Sequence, residues 1–185
     1  MSQIFVSGHK SPDTDSIAAA LSYSYLKRRL GMDAVAVRAG EINKESRFAL
    51  DYFNLEEPML VTSVARKNPE DEKQKVILVD HNESKQTIDG MDDAEVLEII
   101  DHHRFGDFES ENPIFILVRP VGCVNTVIYG LYKANHIKPS REIAGIMLSA
   151  IISDTVLFRS PTTTEEDKET AKELAEIAGV DYEAY

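Results

Sequence analysis

Tryptophan is absent, cysteine occurs once, and no apolar run in the 185 residues approaches the ~20 residues needed to cross a bilayer. No membrane span is therefore expected. Cys123 can form no internal disulfide and lacks the spaced partners of a zinc site, so it reads as a small buried residue in a reducing compartment. The amino-terminal string MSQIFVSGHKSPD has neither a basic segment ahead of an apolar run nor a small-residue cleavage site. No secretory signal is expected, and a cytoplasmic location follows. Positive charge is also scarce: 20 Lys and Arg face 32 Asp and Glu, a net charge of -12. Such a balance argues against nucleic-acid binding, because an acidic surface repels the phosphate backbone. An anionic substrate would need that repulsion offset, and bound divalent cations are the obvious means.

What is present is an ordinary globular composition, 43% hydrophobic and 28% charged, in a length that fits one domain. Residues 3–7 form a short apolar run that breaks at Gly8 into a polar turn, and a helical pattern starts near Asp15 with Ile17, Ala20, Leu21, Tyr25 and Leu30. Further strands are predicted over 34–37, 76–79, 96–100 and 114–118. Further helices are predicted over 45–52, from Cys123 onward, over 143–152, and over 164–178 with Gly179 as its stop. Residues 68–75 read as a charged surface loop. Alternation of buried strands with helices predicts an α/β fold: a mostly parallel, Rossmann-like sheet with helices on both faces.

In such sheets ligands gather at the carboxyl ends of the strands. The first strand delivers His9, Asp13 and Asp15 in GHKSPDTDS, the strand 76–79 delivers Asp80 in VDHNE, and the strand 96–100 delivers Asp101, His102 and His103 in DHHR. Asp154, in SAIISDT, is a carboxylate in a setting otherwise too apolar for a casual one. Taken singly, each has a plain structural explanation. His9 could close a turn, Asp13 and Asp15 could cap a helix, and Asp101 could accept hydrogen bonds from a neighbouring histidine or from backbone. His81 stays ambiguous, and His136 reads as a surface histidine. Their joint occurrence is what points to metal. Mixed oxygen and nitrogen donors suit Mn, Co, Zn or Fe better than Mg or Ca. The candidates are too many for one ion, whereas two ions about 3.5–4 Å apart, sharing a carboxylate and a water, would use them and activate that water for hydrolysis of an anionic ester or anhydride. Adjacent His102 and His103 diverge in an extended segment, so one ligand and one substrate contact is expected of them.

These strings, with RPVGC and the SPT that follows SAIISDT, resemble in order the motifs of the DHH phosphoesterase superfamily and, within it, the family II manganese-dependent inorganic pyrophosphatases. The resemblance implies a DHH metal-binding catalytic domain over 1–180 that hydrolyses inorganic diphosphate to two phosphates. His9, Asp13 and Asp80 would hold one Mn2+ or Co2+, and Asp15, Asp80, His102 and Asp154 the other. Asp80 would bridge, His103 would contact substrate and assist the leaving phosphate, and further Mg2+ could enter with substrate. Members carry a second, carboxy-terminal domain whose basic residues clamp the diphosphate, so residues 181–185 are expected to begin a linker to it. Weak activity is expected of the 185 residues alone, with Arg104 and Arg119 the possible substrate contacts among them. The resemblance also implies a homodimer, with residues 114–118 a candidate edge strand. Two competing expectations are a DHH-type phosphodiesterase or nuclease acting on short oligonucleotides or cyclic dinucleotides, and a non-catalytic metal-binding dimerisation module. The former needs a glycine-rich GGGH-like motif and a basic or aromatic groove, neither of which occurs here.

Overall fold

The computed structural model describes residues 3–182. Its centre is a six-stranded sheet, every pair of neighbours parallel: β1 (Ile4–Ser7), β2 (Ala34–Arg38), β3 (Met59–Leu60), β4 (Lys75–Val79), β5 (Glu95–Asp101) and β6 (Phe115–Val118), in the order β3-β2-β1-β4-β5-β6. Five α-helices accompany it: α1 (Thr14–Arg29), α2 (Lys44–Tyr52), α3 (Val124–Ala134), α4 (Arg141–Asp154) and α5 (Glu165–Ala178). The expected α/β class and parallel sheet are present. Lys75 opens β4 rather than closing the preceding loop, and Asp154 lies in the last turn of α4 rather than beyond it. Of the expected linker start, residues 183–185 lie outside the described residues. Tyr182 packs edge-on to Phe158 with ring centroids 5.8 Å apart.

The direction of winding explains how the two faces are covered. From β1 to β3 the chain moves one way across the sheet through α1 and α2; from β4 to β6 it moves the other way, and right-handed crossovers then put the connections on the opposite face. All five α-helices share one core with Val6, Ile77, Val79 and Ile100. On the second face Val37, Val76, Leu78 and Ile99 are covered by irregular chain that includes Val64, Ile88, Phe108 and Ile114. The helices there are two single turns, Ser84–Gln86 and Met91–Asp93, both 3-10. Winding reverses between β1 and β4, and that switch point opens the crevice in which such sheets bind ligands.

α1 is buried on nearly every side. Ala18, Ala19 and Ala20 are fully buried, and their small side chains let α1 lie close to the sheet, α3 and α4. Gly145 does the same for α4, since a methyl group built on it would overlap the Phe53 ring at the end of α2. No helix among the described residues is long and apolar enough to cross a membrane. Helix propensity favours alanine over glycine by about 1 kcal/mol, but overpacking a core costs about 1–3 kcal/mol. Gly145→Ala is therefore expected to lower the melting temperature; a temperature equal to or above that of the parent chain would show that Phe53 yields freely.

Candidate metal centre

Three strand ends and two helix ends meet at one rim of the sheet. β1 gives way to Gly8, where a side chain would collide with Ser16; the space lets Ser16 Oγ accept the His9 amide at 2.9 Å. Asp13 caps α1 by accepting the Ser16 amide at 2.9 Å, and Asp15 lies in the first turn, fully buried. After β4, Asp80 adopts a left-handed backbone with φ 63°, which aspartate tolerates far better than a β-branched residue. β5 ends on Asp101 and hands the chain to His102 and His103. Asp154 closes α4.

The side chains converge on Asp80. His9 Nε2 lies 3.4 Å from Asp80 Oδ2 and 3.5 Å from Asp13 Oδ2. His102 Nε2 lies 3.3 Å from Asp80 Oδ1, 3.6 Å from Asp15 Oδ2 and 4.0 Å from Asp154 Oδ2. His103 Nδ1 is 2.9 Å from Asp101 Oδ1 and 3.8 Å from Asp80 Oδ1, and its side chain is half exposed. His9, Asp13 and Asp80 form one group whose ligand atoms lie within 4.8 Å of one another; Asp80, His102 and His103 form a second; Asp15, Cys123 and Asp154 form a third.

Burial and like charge dominate the electrostatics. Burial, then the negative charge of Asp15 and Asp80, pushes Asp154 up to about 11. Burial and Asp80 also raise Asp15. For Asp80, burial is outweighed by the close approach and positive charge of His102 and His9, which hold it below the usual carboxylate range. Burial disfavours charge on both rings, yet the neighbouring carboxylates win: His9 rises to about 10 through Asp13 and Asp80, and His102 to about 9 through Asp80 and Asp15. The hydrogen bond to Asp101 raises His103.

Asp15 is held by several donors. It faces the amino-terminus of α3, accepting the Val124 amide at 2.8 Å, the Asn125 side-chain amide at 2.6 Å and the Cys123 thiol at 2.9 Å. Asp101 accepts the His102 and His103 amides, the His103 ring and, at 2.5 Å, the Asn82 side chain, as its structural reading expects. His81 is buried, with Nδ1 on the Val79 carbonyl and no partner for Nε2. His136 is exposed at the far end of α3. Arg119 forks onto Glu166 at 2.8 and 2.7 Å, and Arg104 pairs with Glu83. Asn82, Asn125 and Ser16 were not singled out by sequence reasoning, because an amide or hydroxyl beside a ligand string has no spacing signature of its own.

The donors fit a metal ion. Asp80 Oδ1 is buried with no hydrogen-bond partner, His102 Nε2 approaching it outside bonding geometry. A buried acceptor left so is costly unless something else binds it. His102 Nδ1 is 3.0 Å from the Val121 carbonyl, which assigns a proton to Nδ1 and turns Nε2 toward the carboxylates as the atom that would bind a metal once its own proton is displaced, the arrangement that stands behind metal-ligating histidines. Mixed imidazole and carboxylate donors favour a transition metal.

Comparison with known proteins agrees. A Bacillus subtilis protein named manganese-dependent inorganic pyrophosphatase is 51% identical over all 185 residues, and a Bacillus licheniformis relative assigned the same activity is 54% identical. The chain spans 58% of the length of each. A crystal structure of a Methanococcus jannaschii protein assigned to the family II inorganic pyrophosphatases superposes with a TM-score of 0.87 at 43% identity, covering 97% of this chain and 57% of that one. Residues 3–151 match the DHH family, N-terminal domain, and the chain, with Asp101, His102 and His103 at the end of β5, belongs to that family.

Proposed function

We propose that this chain is the metal-binding catalytic domain of a cytoplasmic, manganese-dependent inorganic diphosphatase. It would hold two Mn2+ or Co2+ ions, with Mg2+ able to join alongside diphosphate. The observation that carries this reading is the convergence of His9, Asp13, Asp15, His102 and Asp154 on Asp80, whose buried Oδ1 has no donor. Identity of 51% along the whole chain to a protein named for that activity supports it.

In this reading His9, Asp13 and Asp80 would hold one ion and Asp15, Asp80, His102 and Asp154 the other, with Asp80 common to both sets. When bound, the ions supply a water acidified toward neutral pH and positive charge to offset the phosphate oxygens. The chain's own groups do the rest. α3 and Asn125 fix Asp15, and Val121 fixes the His102 ring. Asp101 holds His103 through Nδ1 and favours its protonated form, so His103 meets substrate and gives a proton to the departing phosphate.

Arg104 and Arg119 are each paired with a glutamate, so neither stands as a free cation for the substrate. We therefore assign residues 1–180 to this domain and 181–185 to the start of a linker, with the cationic clamp on the substrate supplied by chain outside these residues. The domain alone is then a weak catalyst. β6 pairs with β5 on one side only, and Phe115 and Ile116 on it are exposed, which supports homodimerisation along that edge.

Three measurements check these statements. With Mn2+, phosphate release from diphosphate is expected to be detectable but at least ~100-fold below that of the Bacillus subtilis relative, since positioning and charge neutralisation carry most of phosphoryl transfer. Asp80→Asn should abolish binding of both ions. His103→Asn should leave manganese binding intact and cut turnover by about 100-fold or more. Full occupancy of two ions in Asp80→Asn rules out the shared carboxylate.

The metal-free site holds protons that the unfolded chain does not. Protonated His9 and His102 add stability below pH 6.5 that is lost as pH rises through about 9 to 10, and a protonated Asp154 likewise makes folding less favourable as pH rises above 3.8. Manganese must displace those protons. The rise in melting temperature on adding Mn2+ is therefore expected to be larger at pH 8 than at pH 6, with protons released in a weakly buffered titration. A rise that shrinks with pH contradicts this ligand set.

Sedimentation of the parent chain is expected to give a dimer, and Ile116→Lys a monomer with an unchanged circular dichroism spectrum. A dimer unaffected by the lysine places the interface elsewhere.

A further inference from the structure

Thr14 stands between Asp13 and Asp15, and Ser153 immediately precedes Asp154. Both hydroxyls donate to a single atom, Glu45 Oε1, at 2.5 Å each. Glu45 lies in the first turn of α2, whose own start is fixed by Asn43, which accepts the Ser46 amide at 2.7 Å. Ser46 Oγ in turn lies 3.2 Å from Thr14 Oγ1. One carboxylate oxygen thus ties the beginning of α1 to the end of α4, elements that deliver Asp15 and Asp154 from opposite ends of the chain. Asp15 and Asp154 offer ligand atoms to one group, within 4.8 Å of each other. Their spacing in the absence of a cation depends on what restrains the two helix ends. By contrast, the group formed by His9, Asp13 and Asp80 is set by Ser16 and by the paired strands β1 and β4.

We propose that Glu45 is a positioning residue which, through Thr14 and Ser153, sets the separation of Asp15 and Asp154 and so the affinity for the ion these two share. The inference rests on the two-ion reading above. Because Glu45 acts as an acceptor of two hydroxyl hydrogens, glutamine, which keeps an oxygen in place, should replace it, whereas alanine should not. Because Ser153 is the link to Asp154, Ser153→Ala should reproduce part of the defect, and the two losses should not add in the double variant.

The experiment is calorimetric titration of Mn2+ into the metal-free chain and its Glu45→Ala, Glu45→Gln and Ser153→Ala variants, with metal-free melting temperatures recorded beside it. In Glu45→Ala one of two binding steps is expected to weaken by about 10- to 100-fold, the usual effect of removing a group that orients a ligand, while the other holds within about threefold. Glu45→Gln should bind as the parent does within about threefold. Unchanged affinities in Glu45→Ala, equal weakening of both steps, or Glu45→Gln as impaired as Glu45→Ala would each overturn the proposal. Should Glu45→Ala fail to fold, Ser153→Ala carries the same expectation, and unaltered binding there overturns it. A parent chain that binds one ion refutes the two-ion reading instead. The positioning role is then upheld by loss in Glu45→Ala with recovery in Glu45→Gln, and refuted without it.

Discussion

The structure turns on negative charge taken out of water. Asp15 and Asp80 are almost wholly buried, Asp154 lies beside them, and all three face the His102 ring, Asp80 facing His9 as well. Carboxylates so placed are expensive unless paired, hydrogen-bonded or bound to cations. The fold answers in part. The amino-terminus of α3 and Asn125 serve Asp15, and His9 and His102 serve Asp80. What is left over is an Asp80 oxygen with no donor and an Asp154 that keeps its proton unless a cation replaces it. The protein solves this electrostatic problem only partially by itself, and the unsolved part has the shape of a metal site.

Much of the architecture exists to hold that unfavourable cluster still. α1 is surrounded by sheet and helices, so its first turn, carrying Asp15, cannot drift outward to water. After Asp154 the chain makes an abrupt left-handed turn, with Val156, Leu157 and Phe158 all at positive φ. For a β-branched residue such as Val156 this is strained, and such strain persists only where the surroundings over-determine it. Here Thr155 Oγ1, buried, donates to the Ile151 carbonyl at 2.6 Å and accepts the Phe158 amide at 3.1 Å. The turn reverses the chain directly behind a buried carboxylate, and its rigidity limits how far Asp154 can retreat.

How much of this the sequence disclosed depended on whether a residue's role was local. Strands β1, β4 and β5 were legible because each is a short apolar run ending in His or Asp. The carboxylates and imidazoles were legible because parallel sheets bring such ends together. The helix expected from 164 starts at Glu165, because Thr164 stands outside it as the cap, in a reciprocal box with Asp167. The unequal covering of the sheet was not foreseen, because residues 61–65 and 105–114 cover one face without regular periodicity. β3, two residues long, left no pattern to find. Glu45, Asn82 and Asn125 were invisible for a different reason. Each acts on a residue distant in sequence, and a single hydrogen-bonding side chain carries no record of its partner.

The same separation between local and global governs the acidic balance of the chain. A net charge of -12 is no obstacle to handling an anion if the charge near the reacting atoms is set by something other than the side-chain total. Among the described residues, Arg119 is paired with Glu166, Arg104 with Glu83, His9 with Asp13 and Asp80, and His102 with Asp80. In the proposed reading, positive potential would be offered to a phosphate by the ions and by half-exposed His103 beside them. That would make affinity for an anionic substrate conditional on metal occupancy, because an unloaded acidic rim would repel what a loaded one attracts. In the proposed function, binding of the ions and recognition of the substrate would then be a single electrostatic event, written into the choice of aspartate over any basic residue at Asp13, Asp15, Asp80 and Asp154.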